Sequence, residues 1–284
     1  MGLAFSMYLC TDDVKKQLKA SAMVEELKDR QALVCGGSEG IGKAAAMALA
    51  QMGCTVTLLA RNKEQLMSAR DALPALSGQK HRCIVADMGD LSVLRELVSE
   101  AVAKSGGFHV LLNNSGGPAA GALVHEPIEK FESVFRQHVL SAQTLTQVLL
   151  DGMIASGYGR IINVISTSVK APLPNLGVSN TVRGAMSSWS KTLASEVAAW
   201  GITVNNVLPG ATDTSRLRTL IASKALKMGK TEEEIAKEMQ DEIPLGRFAQ
   251  PEEVAHAIAF LASPRAAYIS GINLPVDGGR LKNL

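Results

Sequence analysis

The sequence predicts an α/β protein built on a doubly wound, mostly parallel seven-stranded sheet flanked by helices. Three observations carry the prediction. Short β-branched runs alternate with longer stretches at helical spacing. The short runs are built on consecutive apolar residues rather than an apolar–polar alternation, as in strands covered on both faces. The first of them passes directly into a glycine-rich turn at the start of a helix, CGGSEGIG at 35–42.

Taken in order, QALVC (31–35) reads as a strand and Ile41–Met52 as the helix that the glycine turn opens. TVTLL (55–59) is β-branched and apolar, and the charged, helically spaced stretch Lys63–Leu73 follows it. RCIVA (82–86) and HVLLN (109–113) are the third and fourth strands, separated by a helix over Leu91–Ser105. A long helix over Ile128–Ala155 leads to RIINVI (160–165), and a second, Ser179–Trp200, to ITVNNVL (202–208). The section from Thr212 to Glu242 is polar and helical, Pro251–Ala262 opens with a helix-starting proline, and INLPV (272–276) is the last strand. Repeated βα units of this kind make a parallel sheet. Residues 1–22 read as an extension, with a charged surface helix over Asp12–Leu27, and 23–284 as one domain.

Bulk properties narrow the function. The chain has 284 residues, 46% of them hydrophobic, and a formal net charge of +2. With no basic block it lacks the electrostatic footprint of a nucleic-acid binder. No apolar run approaches the roughly 18 residues that span a bilayer, and the N-terminus lacks the features of a secretory signal. Cys10, Cys35, Cys54 and Cys83 form no C-x-x-C pair and read as small residues kept reduced in the cytoplasm, not as metal ligands.

The chemistry-bearing stretch is the glycine turn. A strand, a glycine turn and a helix start together make a diphosphate cradle, because free N–H groups and a partial positive charge converge there. Gly36 lets the chain turn, Gly40 and Gly42 permit close backbone approach, and Ser38, Glu39 and Ile41 complete the loop.

With those residues in view, GGSEGIG resembles the cofactor signature of the short-chain dehydrogenases/reductases, and the resemblance extends over nearly all of 23–284. It implies a Rossmann-like fold. NNSG (113–116) resembles the family's N-N-A-G, which places Asn114, Ser115 and Gly116 beside the cofactor. Asp87, with Met88 after it, matches the acid at the adenine. PGATDT (209–214) resembles the motif at the nicotinamide, bringing in Pro209, Gly210 and Thr212. The C-terminal stretch 243–279 resembles the family's own, and the general likeness is to 3-oxoacyl-[acyl-carrier-protein] reductases. A homotetramer, a small or carrier-linked carbonyl substrate, and a substrate lid over about 212–247 are implied with it.

The second strand ends LLARN, with no acid for ribose hydroxyls, and Arg61 can pair with a 2′-phosphate. This favours NADP(H) over NAD(H). Glu39 opposes it, since a carboxylate near that phosphate would repel it.

Family chemistry uses a tyrosine to exchange the proton, a lysine four residues on, a polarising serine, and an asparagine on the long helix. Ser166 fits the serine. The tyrosine's position falls on Ser179, the lysine's on Arg183, and helix spacing puts His138 at the asparagine's. A serine hydroxyl is a far weaker acid than a phenol near pKa 10. Arg183 can hold ribose hydroxyls but not give up a proton near neutrality. An imidazole at His138 can act as general acid or base, so two readings stand: a proton donor, or a side chain filling the asparagine's space. Tyr8, Tyr158 and Tyr268 lie in the wrong places to substitute. The chain is therefore either an oxidoreductase with an altered centre or a cofactor-binding pseudoenzyme.

Overall fold

A computed structural model describes residues 26–283. The extension 1–22 and Cys10 lie outside the described residues, as does nearly all of the helix expected over Asp12–Leu27. The strands are β1 (Gln31–Cys35), β2 (Thr55–Ala60), β3 (Arg82–Val85), β4 (Val110–Asn113), β5 (Gly159–Val164), β6 (Ile202–Pro209) and β7 (Asn273–Val276). They form one sheet in the order β3-β2-β1-β4-β5-β6-β7, and every pair is parallel. The order reverses at β1 and β4, the switch point where such sheets bind ligands.

Helices cover both faces. α1 (Gly40–Gln51) and α2 (Lys63–Asp71) pack on one, α3 (Leu91–Ser105) on the other. β1 shows why its sequence is apolar from residue 32 to 35: Ala32 and Val34 enter the core on the first face, Leu33 and Cys35 the core on the second. The edge strands depart from that pattern. Arg82 and Val85 of β3 are exposed and β7 is half-buried along its length, because each has a neighbour on one side only.

The expected long helix over Ile128–Ala155 is α4 (Ile128–Phe135) and α5 (Ser141–Ala155), joined by a π-helical turn at Arg136–Leu140. α6 (Gly177–Val197) starts two residues earlier than expected and ends in a tighter turn at Ala198–Trp200. The polar section after β6 is two helices, α7 (Ser215–Met228) and α8 (Glu232–Asp241). Gly229, in the left-handed region at φ 63°, breaks them apart, and Thr231 with Glu234 forms a capping box that starts α8. α9 (Pro251–Ala262) packs beside α1.

One polar feature crosses the core. Asn113, Asn163, Asn206 and Asn273 are register partners on β4 to β7. Their amides run side chain to side chain, Asn113 to Asn163 at 2.8 Å, Asn163 to Asn206 at 3.0 Å and Asn206 to Asn273 at 2.8 Å. Ser190 of α6 closes the ladder against Asn163 and Asn206. Removing one rung strands its neighbours' polar atoms in a dry interior. Asn163→Leu is therefore expected to destabilise the fold by about 2–4 kcal/mol, read as a drop in urea midpoint.

Candidate functional site

The site begins with the turn after β1. Gly36 adopts φ +59°, and a Cβ there would stand 2.6 Å from Asn114 Nδ2. That amide donates to the carbonyls of Cys35 and Gly36, both at 3.3 Å, tying the end of β4 to the turn. A Cβ on Gly42 would stand 2.0 Å from the Gly36 carbonyl oxygen, so α1 can leave the turn this tightly only with glycine there. No side chain caps the start of α1, and its first turn contains no acid. Its leading amides are therefore left for an anion. Glu39 stands at the cap position, yet its carboxylate accepts from the Ser215 hydroxyl at 2.9 Å.

A crevice of about 490 Å³ opens above the cradle along the C-terminal ends of the strands. That is the size range of small-molecule and cofactor sites. The predicted residues Gly36, Ser38, Glu39, Gly40, Ile41, Arg61, Asp87, Met88, Asn114, Ser115 and Gly116 line it. So do Ser166, Ser179, Arg183, Pro209, Gly210 and Thr212. Gly42 is not in its wall and serves it through the packing against Gly36. The structure adds residues that sequence reasoning missed, among them Gln65, Arg216, Leu220, Met239 and Arg280. Arg216, Leu220 and Met239 come from α7 and α8. Arg280 comes from beyond β7 and pairs with Glu242 at 2.5 Å. Nothing in its own neighbourhood of sequence marks it.

At one end Arg61 stands 3.7 Å from Asp87, their side chains 72% and 49% exposed. A pair this open contributes at most about 1 kcal/mol, so Arg61 is free to turn to an anionic ligand. At the other end Ser166 follows β5. Its Oγ accepts from the Ser168 amide at 3.1 Å, which leaves the hydroxyl proton for a ligand. Arg183 is buried, donating to the Val164 carbonyl at 2.6 Å and the Ser115 carbonyl at 3.4 Å. Burial, then the charge of Arg216, lowers its pKa to about 10, still cationic at neutral pH.

His138 sits behind this wall, on the π-helical turn, 6% exposed and absent from the crevice lining. Its Nδ1 is 2.7 Å from Ser115 Oγ, and the ring also bonds the backbone of Gly116. A neutral imidazole satisfies both, accepting from the hydroxyl and donating to the carbonyl. Burial, then the charge of Arg183, holds its pKa down at about 2. The ring is thus neutral over the physiological range and fixes Ser115 and Gly116. The folded pKa lies below the unfolded value near 6.5, so the unfolded chain binds the extra proton and stability falls as pH drops below about 6.5. Chemical denaturation from pH 7 to 5 should show His138→Asn losing less stability than wild type, by up to ~1.4 kcal/mol per pH unit. Equal losses would mean that the ring is not held neutral.

The family model described as enoyl-(acyl carrier protein) reductase matches residues 36–280. The chain belongs to the short-chain dehydrogenase/reductase family. This short-chain dehydrogenase/reductase is 32% identical over 255 residues to the 3-oxoacyl-[acyl-carrier-protein] reductase FabG of Vibrio cholerae, covering 89% of this chain and 98% of the relative. It is 30% identical to the 2,3-dihydroxy-2,3-dihydro-p-cumate dehydrogenase of Pseudomonas putida, over 89% and 95% of the two chains. Among solved structures, L-sorbose reductase from Gluconobacter frateurii, complexed with NADPH and L-sorbose, superposes with TM-score 0.86 and 32% identity, over 93% of this chain and 100% of that one. Tyr158 of this family member is remote from the crevice: its hydroxyl donates to the Ala262 carbonyl at 2.6 Å and its ring lies between Arg30 and Arg160. Cys35 and Cys54 are buried free thiols, and burial pushes the Cys35 pKa up to about 12. Among the described residues no helix is long and apolar enough to cross a membrane.

Proposed function

We propose that this chain is an oxidoreductase that binds NADP(H) in preference to NAD(H) and exchanges a hydride with a carbonyl or alcohol substrate, small or carrier-linked, through a centre lacking the usual tyrosine and lysine. The observation that carries the reading is the continuity of one crevice from Arg61, past the uncapped start of α1, to Ser166 and Ser179. When bound, NADPH would supply a hydride, with its two electrons, for the carbonyl carbon. The chain's own residues do the rest. The α1 amides hold the diphosphate and Arg61 the 2′-phosphate. Arg183 holds ribose hydroxyls while keeping the Ser115 loop in place, and His138 positions that loop from behind. Ser166 and Ser179 donate hydrogen bonds to the substrate oxygen. The fixed charge of Arg183 stabilises the developing alkoxide, which then takes its proton from water.

Names of the relatives support the reaction class, and the NADPH in the L-sorbose reductase structure supports the cofactor. α7 and α8 act as the substrate lid. A homotetramer built through α4–α5, α6 and the C-terminal segment is supported by the exposed Leu140 in the turn joining α4 to α5, Trp200 just past α6, and Phe260 and Tyr268 in the C-terminal segment.

The second reading, a nicotinamide-binding protein without turnover, is favoured by one observation: the imidazole that could have carried the proton is buried and held neutral. Calorimetric titration with NADPH and NADH, paired with NADPH oxidation across a carbonyl panel, separates the readings. Wild type should bind NADPH at least tenfold tighter than NADH, and Arg61→Ala should remove most of that difference. Binding without any turnover would favour the second reading, and no binding of either nucleotide would remove both.

A further inference from the structure

The cationic side chains at the reaction end of the crevice have no acidic partner in its wall. The carboxylates that line the crevice are Glu39 and Asp87. Glu39 is turned to Ser215, and Asp87 stands beside Arg61 at the far end. At the near end Arg183 and Arg216 flank Gly117. Their terminal nitrogens lie 3.9 and 3.7 Å from the point where a Cβ on that glycine would stand. Arg183 meets the carbonyls of Val164 and Ser115, and Arg216 donates to the Pro118 carbonyl at 2.5 Å. Carbonyl oxygens satisfy N–H directions but do not cancel charge. The charge of Arg216 adds to burial in lowering the Arg183 pKa, as two cations at close range do. Arg280, also in the crevice wall, is by contrast already neutralised by Glu242.

The cofactor's diphosphate does not account for this pair. Its proposed cradle is the start of α1, where the neighbour from the α7 side is Thr214, with Cγ2 3.3 Å from the Cβ point of Gly40. Ser215 turns back toward that cradle through Glu39, whereas Arg216 turns away from it to the loop at Gly117 and Pro118. A carboxylate fits the forked donors of a guanidinium and gains strength where water is scarce.

We infer that the substrate is an organic acid, an oxo acid or the corresponding hydroxy acid, whose carboxylate is received between Arg216 and Arg183. This rests on the oxidoreductase reading above and names its substrate class. Arg216 is the specificity-determining residue, since it is the exposed member of the pair and reaches the site from α7.

The test is calorimetry on the full chain saturated with NADP+, so that ternary complexes form without turnover. The probes are 2-oxobutanoate, acetoacetate and 4-oxopentanoate, each against its methyl ester. At least one acid should bind tenfold or more tighter than its ester. Arg216→Gln should bring that acid down to within threefold of the ester while NADP+ affinity changes less than twofold. Esters that bind as well as all three acids would overturn the inference, as would an acid preference that survives Arg216→Gln. A tenfold loss of NADP+ affinity in that variant would assign Arg216 to the diphosphate and overturn it too. Failure of wild type to bind NADP+ would instead bring down the oxidoreductase reading, and this inference with it.

Discussion

Gly42→Ala is expected to lose at least about a hundredfold in NADPH affinity, about 2.7 kcal/mol. The new Cβ would stand 2.0 Å from the Gly36 carbonyl oxygen and 2.7 Å from Asn114 Nδ2. A flexible side chain could swing aside, but the backbone oxygen of a turn held at φ +59° cannot. α1 must therefore shift away from β1, taking with it the amides proposed to receive the diphosphate. Overpacking of this kind costs about 1–3 kcal/mol in stability, so the urea midpoint should fall as well. NADPH titration by calorimetry, checked against circular dichroism for retained helix, measures both. A variant that binds NADPH like wild type would show that the cradle is not where the cofactor sits.

The second large effect is a gain. Ser179→Tyr combined with Arg183→Lys should raise NADPH-dependent carbonyl reduction by about a hundredfold, within the range that a positioned acid supplies. Ser179 lines the crevice on α6, one helical turn before Arg183, so a phenol there projects into open volume. Position 183 is buried, and desolvation would lower a lysine's pKa from its usual value near 10.4. Its charge would in turn pull the phenol's pKa toward neutrality. Ser179→Tyr alone should gain less, because Arg183 cannot give up a proton near neutrality and so cannot take a lysine's part in a proton relay. The double variant's rate should also acquire a pH dependence that wild type lacks, read from initial rates of NADPH absorbance loss between pH 6 and 8.5. A double variant that binds NADPH normally yet turns over no faster would mean that substrate is not held at this centre, and would favour the non-catalytic reading.

Much of this was legible before any coordinates. The strands of the sheet interior announced themselves because both faces of β1, β4 and β5 are buried, which favours consecutive apolar residues along most of each strand. The cradle was legible because a turn this tight excludes side chains, and the glycines at 36 and 42 record that exclusion locally. Helix boundaries were less so: Gly229 breaks α7 from α8 through its left-handed φ, and a polar pattern continues smoothly across it.

The sequence by itself determined the fold class and the family likeness, both of which reside in residue types at short or fixed spacings. Only the tertiary structure decided what surrounds the candidate site residues. His138 carries two readings in the sequence, proton carrier or filler of the asparagine's space, and the fold buries it against Ser115, 23 positions away, where burial lowers its pKa. Arg183 and Arg216 become a facing pair because α6 and α7 both border the loop at Gly117. The ladder from Asn113 to Asn273 exists because parallel strands align residues whose separation in the chain is arbitrary. Burial, counterions and cross-strand register depend on what the folded chain brings alongside a residue, and no local pattern encodes that.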